Sequence, residues 1–343
     1  MRTEYFMKSF ICFGTLLAVL LSFCGCTAWN NVPAASDDSL YILTTIFPPY
    51  DFAREITDGA DNVTVQQLLK PGMESHTFDP TPADILAVQN CDLFVCTGGV
   101  SDAWVQTLLD AAPGAEQKCV RMIDLVDAVE ETHIEGSTHR HEHEHDHDAE
   151  EPHDHETTVD SDHVEYDEHV WCDPHNAMRI TEALCEQICA LDPANEILYR
   201  ENTGDYLQAL TDLDDALHHI TDHAVHRTLV FGDRFPMRYL CDAYGLGYRA
   251  AFPGCAAESE PSAATMIFLI EKVREENIPA ILTIEMSNRK IAQTISEETG
   301  APILMMHSCH NRTADEAAEN KTYLDLMYEN AHVLSKALGQ RNE

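Results

Sequence analysis

The chain predicts an α/β protein of two lobes, each with a four-stranded, mainly parallel sheet, joined by a long rigid helix. Short apolar strands alternate with helices from residue 40 to residue 123, and the same alternation returns from residue 228 to residue 306. A long amphipathic helical stretch separates the two blocks. Such alternation implies parallel strands covered on both faces. The 343 residues are enough for two domains of ordinary size.

The elements of the first lobe follow from apolar runs and helix start signals. Thr81 followed by Pro82 provides a cap residue and a proline at the first helical position, so a helix is predicted to begin there. Ser101 is expected to cap another helix. Strands are predicted over 40–46, 62–69, 93–97 and 118–123, and helices over 50–57, from 82 and over 101–111.

The connecting region and the second lobe are predicted in the same way. Asp173-Pro174 begins a helix to about 191, and Asp192-Pro193 begins a longer one to about 223. About 30 residues in one helix span roughly 45 Å, which suggests a strut. Its apolar residues, Leu210, Leu213, Leu217 and Ile220, have helical spacing. Strands follow at 228–231, 248–251, 280–284 and 302–306, with helices from near 233, 261 and 287 and a last one over 315–338.

The N-terminus is predicted to be a targeting segment. Arg2 and Lys8 precede an apolar run over 10–23, which is short for a membrane anchor helix, the alternative interpretation. Gly25-Cys26 ends a stretch that resembles a bacterial lipobox, so we expect lipidation of Cys26. The expected organisation is signal peptide 1–26, tether 27–38, N-terminal lobe 39–191 with a His-rich loop at 132–168, linking helix 192–223 and C-terminal lobe 224–343.

The charge balance limits the kinds of partner. There are 21 Lys and Arg residues against 59 Asp and Glu residues, and the net charge is -38. Nucleic-acid phosphates require basic patches, so this balance argues against nucleic acid as a partner. A strongly acidic protein stays soluble and attracts cations.

Ten histidines lie between Thr132 and Trp171, and nine of them belong to a low-complexity run. Imidazole with carboxylate suits Zn²⁺, Cu²⁺ or Ni²⁺, and so polar a segment cannot form a packed core. We therefore predict a solvated loop that binds metal weakly; an acidic tract with incidental histidine is the alternative. The run also matches the zinc-protease motif H-E-x-x-H, but a repetitive sequence of His and acidic residues produces this match by chance. The motif binds zinc only where a helix brings both histidines to one face. The predicted weak ligands are His139, His141, His143, His145, His147, His153 and His155.

A second group of candidates lies where strands end. His76 follows a rigid Pro-Gly turn, His169 sits between carboxylates and an aromatic residue, and His307 directly follows a buried strand. Glu285 and Asp233 each follow a predicted strand of the second lobe. Ligands of α/β sheets bind at the carboxyl ends of the strands, so these side chains are expected in a cleft between the lobes. Three imidazoles and a carboxylate make a tetrahedral Zn²⁺ site.

Together these motifs resemble the metal-binding lipoproteins of ABC importers, specifically their zinc-type branch. The resemblance covers residues 40–338 and rests on Pro-Gly-Met-Glu-Ser-His76-Thr-Phe-Asp-Pro, on the His-rich insertion and on Asp-Glu-His169-Val-Trp. It also rests on Leu191-Asp-Pro-Ala-Asn at the start of the long helix and on Glu258-Ser-Glu-Pro-Ser before another helix.

The resemblance implies metal ligands at His76 and His169. The family's third ligand, a His after the strand ending in Phe231, is replaced here by Gly232, and the fourth, an Asp or Glu after the last strand, is replaced by His307. Glu285 is our first choice to complete the site; Asp233, water or a loop histidine are alternatives. Glu285 could instead be a structural carboxylate that binds backbone N–H groups.

Other residues are weaker candidates. His175, His310 and Cys309 lie close in sequence to expected ligands, although Pro174 is expected to place His175 on a helix. The remaining candidates form a polar helix face and comprise His218, His219, His223 and His226.

The resemblance implies a receptor that captures Zn²⁺ between the lobes and delivers it to an ABC permease. No Walker loop occurs, so ATP hydrolysis is expected of another subunit. We expect a monomer, anchored to the bacterial membrane by lipid and without enzymatic activity. A receptor for Mn²⁺ or Fe²⁺ with the same fold, or a zinc-dependent hydrolase with Asp233 or Glu285 as general base, are the alternatives.

Overall fold

The computed structural model describes residues 39–75, 78–131, 165–254 and 261–340. Its strands are β1 (Leu40–Thr44), β2 (Val63–Gln67), β3 (Leu93–Cys96), β4 (Cys119–Arg121), β5 (Thr228–Phe235), β6 (Gly247–Pro253), β7 (Ile281–Thr283) and β8 (Ile303–Met305). Its helices are α1 (Phe47–Ile56), α2 (Pro82–Asn90), α3 (Ala103–Ala111), α4 (Pro174–Leu191), α5 (Glu196–Asp222), α6 (Arg238–Ala243), α7 (Ala263–Glu275), α8 (Lys290–Thr299), α9 (Ala314–Ala318) and α10 (Tyr323–Ala337).

The strands form two four-stranded sheets with the same permuted order. One sheet is β2-β1-β3-β4, the other is β6-β5-β7-β8, and every pairing within them is parallel. The predicted α/β class with two such sheets is confirmed. Because parallel strands end at the same edge, the segments that follow β5, β7 and β8 are brought together.

Local sequence explains most of the helix starts. Thr81 and Asp84 form a reciprocal capping box at α2, and Asp173 accepts a hydrogen bond from the His175 N–H at the start of α4. Both starts agree with the prediction. Ser101 belongs instead to a 3₁₀ turn, Val100–Asp102, that precedes α3.

The long connecting helix is α5. Its 27 residues correspond to about 40 Å at 1.5 Å per residue. Leu210, Leu213 and Leu217 are buried along one side, as their spacing predicts. The helix begins after a 3₁₀ turn, Pro193–Asn195, rather than directly at Pro193.

Two predicted helices differ from the structure. The helix expected from near 233 is wrong, because β5 continues through a register shift between Phe231 and Arg234 and α6 begins only at Arg238. The single helix expected over 315–338 is divided into α9 and α10. Asn320 has a left-handed φ of 55° between them, and Thr322 starts α10 with its own capping box.

One hydrophobic core cluster extends across both lobes. It includes Phe94 of β3, Trp171, Leu210 of α5, Phe231 of β5 and Leu326 of α10, all 0% exposed. A smaller cluster lies within the second lobe. Because the lobes share close-packed side chains as well as α5, we expect only a small relative movement of the lobes.

Several expectations fall on residues outside the described ranges. These are the signal segment with Cys26, His76 and the greater part of the His-rich loop. Among the described helices, none is both long enough and apolar enough to cross a membrane.

Candidate metal centre

His169 has the surroundings of a metal ligand. Its side chain is buried, and its Nδ1 lies 3.0 Å from Oδ1 of Asp167, which also accepts the His169 backbone N–H at 2.9 Å. A carboxylate that holds one ring nitrogen fixes the orientation of the imidazole and directs the other nitrogen at the metal. His169 lines the cleft between the lobes, so its Nε2 is the nitrogen available to an ion there.

The pKa of His169 is set by two opposing effects. Burial lowers it, but the hydrogen bond and charge of Asp167, together with Glu168 and Glu131, outweigh the burial, and the pKa is raised. A ligating histidine must be neutral, so protons compete with metal at this residue at a higher pH than at free imidazole.

We therefore expect Asp167→Asn to change both the strength and the pH dependence of zinc binding. At pH 8 affinity should fall by about ten-fold, the usual cost of losing a carboxylate that orients a ligand. The pH at which affinity is half lost should move downward, because the substitution removes the hydrogen bond and the charge of Asp167, the two largest effects that raise the pKa of His169. Isothermal titration between pH 5.5 and 8 measures both effects, and an unchanged pH midpoint would contradict them.

His310 lies next to His169 and lines the same cleft, although the sequence places it among the weaker candidates. The two ring centroids are 6.5 Å apart, and both rings contact Trp171. The Nε2 of His310 is 3.1 Å from Oγ of Ser75 in the first lobe. The usable signal was its spacing: His310 follows β8 by five residues, which places it over the same sheet edge as the other candidates.

Glu285 lines the same cleft, but its carboxylate is already engaged. One oxygen accepts the backbone N–H of Ser308 at 2.7 Å, and the other accepts the Ser308 hydroxyl. The Ser308 Oγ in turn accepts the His310 backbone N–H. In this arrangement Glu285 acts as a structural carboxylate that holds the segment carrying His310.

His307 lies beside Glu285 but is not among the described residues that line the cleft. Its side chain is 1% exposed, its Nδ1 accepts the Cys309 N–H at 2.8 Å, and its Nε2 is 3.3 Å from Glu316. Burial lowers the pKa of His307, but the charge of Glu285 and the hydrogen bond and charge of Glu316 together outweigh this effect. The pKa is therefore raised. Both ring nitrogens are therefore occupied by protein groups.

Close packing leaves no room for a side chain at Gly232, the position at which the resemblance implies a family histidine. A Cβ added at Gly232 would lie 2.6 Å from the Cα of Ala292 and 2.8 Å from its Cβ, closer than real Cβ atoms approach. Gly232 is thus the residue that lets α8 pack against β5. The adjacent Asp233 accepts the Arg234 N–H with Oδ1 and lines a neighbouring cavity rather than the cleft.

The segment that carries His310 also ties the lobes together. Asn311 donates hydrogen bonds to the carbonyls of Lys70 and Met73, and Arg234 forms an ion pair with Glu74 at 3.2 Å. The loop leading to His76 is thereby held against the second lobe. The cleft they enclose is about 30 Å³ and is lined by Glu74, His169, Arg234, Pro236, Gly254, Ile284, Glu285, Met286, Ser308 and His310.

The other histidines lie elsewhere. His175 is on α4, 3.6 Å from Asp214, and His219 and His223 contact each other on the exposed face of α5. Within the described ranges, no group of three or more His, Cys, Asp or Glu side chains could hold a metal ion. His169 and His310 form a pair, and the motif residue His76 lies outside those ranges.

Known zinc-binding proteins are similar to this chain over most of its length. The chain is similar to the high-affinity zinc uptake system protein ZnuA of Bacillus subtilis (strain 168), with 28% identity over 320 residues that cover 93% of this chain and 94% of that protein. It is 27% identical to the zinc-binding lipoprotein AdcA of Streptococcus pneumoniae (strain ATCC BAA-255 / R6) over 306 residues, 89% of this chain but only 57% of that longer protein.

Solved structures show the same architecture. The crystal structure of the metal-dependent lipoprotein YcdH from Bacillus subtilis is similar, with a TM-score of 0.69, 25% sequence identity, and coverage of 88% of this chain and 99% of that chain. The family model described as ZnuA, zinc-uptake complex component A, periplasmic, matches residues 42–337. With most of its length matched, the chain belongs to this family of zinc-uptake components.

Proposed function

We propose that this chain captures Zn²⁺ outside the cytoplasm and delivers it to the permease of an ABC importer. The lipid anchor is Cys26, and the protein acts as a monomer. The observation that carries the proposal is the buried His169, oriented by Asp167 at 3.0 Å, with the His310 ring beside it in a cleft between the lobes. This geometry presents imidazole nitrogens to a cation at the point where the two lobes meet.

The distance between the His169 and His310 ring centroids is close to the distance between two imidazoles bound to one zinc ion. Imidazoles that share a tetrahedral Zn²⁺ ion, with Zn–N bonds of about 2.1 Å, have ring centroids about 5 Å apart. The observed separation is 6.5 Å. Movement of about an ångström would bring both nitrogens to one ion, which suits lobes that share a core and close only slightly.

We propose His76, His169 and His310 as the protein ligands. His76 and His169 occupy family ligand positions, and His310 takes the role that Gly232 cannot. Glu285 supplies negative charge nearby while its oxygens hold Ser308. That His307 or Glu285 binds the ion directly stays a prediction, and the geometry favours His310.

The imidazole-rich set favours Zn²⁺ over harder ions. Mn²⁺ and Fe²⁺ prefer more carboxylate oxygen. Among the described residues that line the cleft, the carboxylates are Glu285, which is already engaged, and Glu74, which pairs with Arg234. A hydrolase would need an available carboxylate base and space for substrate. The cleft of about 30 Å³ holds little more than an ion and one water. The geometry thus supports a receptor rather than a hydrolase.

The ligand assignment is tested by comparing His310→Ala with His307→Ala. His310→Ala should weaken tight Zn²⁺ binding by at least about ten-fold, because it removes one of the donors in the cleft. His307→Ala should leave zinc affinity within about two-fold while lowering stability, since it leaves Glu316 without its buried partner. Chelator competition measures affinity and thermal unfolding measures stability.

The opposite pattern would reject the assignment. If His307→Ala lost zinc affinity and His310→Ala retained it, His307 would be the ligand, and His307→Asp should then shift selectivity toward Mn²⁺. His175→Ala is the control, since that side chain is 59% exposed and lies outside the cleft.

Deleting residues 138–155 should separate the tight site from the weak ones. The deletion removes seven predicted weak ligands, so titration should show one tight Zn²⁺ and loss of the weaker equivalents. In the intact protein the weak phase should fade as pH falls through roughly 6.5, because ligating imidazoles must be neutral. Loss of the tight site on deletion would mean that the cleft does not bind zinc independently.

A further inference from the structure

We propose that the first lobe contains a second metal site, which binds one Ca²⁺ ion between the turn 97–102 and the side chain of Glu168. The turn 97–102 connects β3 to α3, and Glu168 directly precedes His169 in the chain. Among the described residues that line the zinc cleft, none belongs to this second site. The inference therefore goes beyond the capture of zinc.

Two carboxylates are buried against the turn 97–102. Asp102 is 4% exposed and Glu168 is 0% exposed. Oδ2 of Asp102 accepts the Thr97 N–H at 2.6 Å, and Oε2 of Glu168 accepts the Ser101 N–H at 2.9 Å. Gly99 permits this approach, because a Cβ at that position would overlap the Glu168 carboxylate. Backbone N–H groups of one short turn thus fix the positions of both carboxylates.

The other oxygen of each carboxylate has no hydrogen-bond partner among the described residues. The same is true of Oγ of Ser101, whose residue is 3% exposed, so three buried oxygens are unsatisfied: Oδ1 of Asp102, Oε1 of Glu168 and Oγ of Ser101. Thr45 brings a further buried hydroxyl, with Oγ1 3.5 Å from Oδ2 of Asp102. Buried polar atoms nearly always have a partner, so three unsatisfied oxygens around one turn indicate a ligand that they bind.

No basic side chain offsets the charge of the two carboxylates. Arg121 lies beside Gly98 of the turn but forms its ion pair with Glu116, and no ion pair within the described ranges includes Asp102 or Glu168. Burial and the charge of Glu168 raise the pKa of Asp102 to about 7, although its hydrogen bonds lower it. The two carboxylates are therefore close enough to repel each other. Buried charges in proteins are usually paired or coordinate a metal.

The donor atoms suit Ca²⁺ better than other divalent ions. Carboxylate and hydroxyl oxygens are hard ligands, and Ca²⁺ accepts about six to eight oxygens in a flexible geometry. Mg²⁺ keeps several of its waters, for which a buried turn has little space. Zn²⁺ prefers imidazole or thiolate donors, whereas the three unsatisfied atoms of this site are all oxygen. A divalent ion would also neutralise the two carboxylates.

The site lies at the edge of the first sheet where ligands are expected. Thr45 directly follows β1 and Thr97 directly follows β3, and these two strands are parallel neighbours. Ligands of α/β sheets bind at the carboxyl ends of the strands. An ion bound here would join this edge of the sheet to the segment that carries His169.

The test is thermal unfolding of the zinc-free mature chain with and without about 5 mM Ca²⁺, a concentration above the dissociation constants of extracellular calcium modules. We expect Ca²⁺ to raise the unfolding temperature by about 2 °C or more, because it binds only the folded protein. Asp102→Asn and Glu168→Gln should each abolish this increase and weaken Ca²⁺ binding, measured by isothermal titration, by at least about ten-fold. Asp110→Asn is the matched control, because Asp110 is exposed on α3, and it should keep the full increase.

The pattern across the four proteins decides the inference. An increase that occurs in the unaltered chain and in Asp110→Asn, and is lost in Asp102→Asn and Glu168→Gln, supports the site. If either of these two isosteric variants does not fold, the other decides. No increase in the unaltered chain would overturn the site, and an equal increase in all four proteins would also overturn it, because Ca²⁺ would then act through exposed carboxylates. A larger increase with Mg²⁺ than with Ca²⁺ would contradict the choice of calcium.

Discussion

His169→Ala is expected to weaken tight Zn²⁺ binding by about a hundred-fold, equivalent to about 2.7 kcal/mol. Loss of a group that only orients a ligand lowers metal affinity by about ten- to a hundred-fold. Loss of the ligand itself should therefore lower affinity by an amount at the upper end of that range. The substitution also leaves Asp167 without its partner in a buried site. His76→Ala should weaken binding by at least about ten-fold, since it removes another of roughly four donors.

Competition with a chromophoric chelator at fixed pH measures the loss of zinc affinity in His169→Ala and His76→Ala. His175→Ala is the matched control on the neighbouring helix and should bind zinc as the unaltered protein does. Near-native affinity of His169→Ala, in a protein whose unfolding temperature shows that it is folded, would remove His169 from the ligand set.

Gly232→His is expected to lower the free energy of unfolding by about 1–3 kcal/mol and to leave zinc binding no tighter. Restoring the family histidine would tighten binding only if there were room for it. The Cβ alone would come within 2.6 Å of the Ala292 backbone, so β5 and α8 would have to separate. Urea unfolding and zinc titration of the same sample measure both effects.

Gly204→His is the control for the same chemical change. A Cβ added at Gly204 on α5 meets no atom within 4 Å, and glycine costs up to about 1 kcal/mol in a helix. That variant should be neutral or slightly more stable. If Gly232→His were equally well tolerated and bound zinc more tightly, the packing argument would be wrong.

The parts of the fold that could be predicted depend on local signals. The proline and capping residues at Thr81 and Asp173 fixed two helix starts, and the apolar spacing of α5 identified its buried side. The end of β5 could not be predicted, because its register shift depends on pairing with β6. The break in the helix at Asn320 was missed because the sequence does not show that this asparagine has a left-handed φ. A polar residue at that position is equally compatible with a continuous helix.

The candidate site was predicted in outline and not in detail. The sequence indicated that His169, Glu285 and the segment after β8 would meet, since strand ends share one edge. It did not indicate that His310, rather than His307 three residues earlier, lines the cleft. The difference arises from Asn330 and Glu316, which bind His307, and from the hydrogen bonds of Glu285 to Ser308.

The central claim is that one Zn²⁺ ion is held between the lobes by His76, His169 and His310. An anomalous-difference map at the zinc edge, from crystals of the mature chain with one equivalent of zinc, tests it most directly. The account predicts a single strong peak about 2.1 Å from Nε2 of His169 and from a ring nitrogen of His310. A peak bound by His307 and Glu316, or one confined to the His-rich loop with the cleft empty, would contradict it.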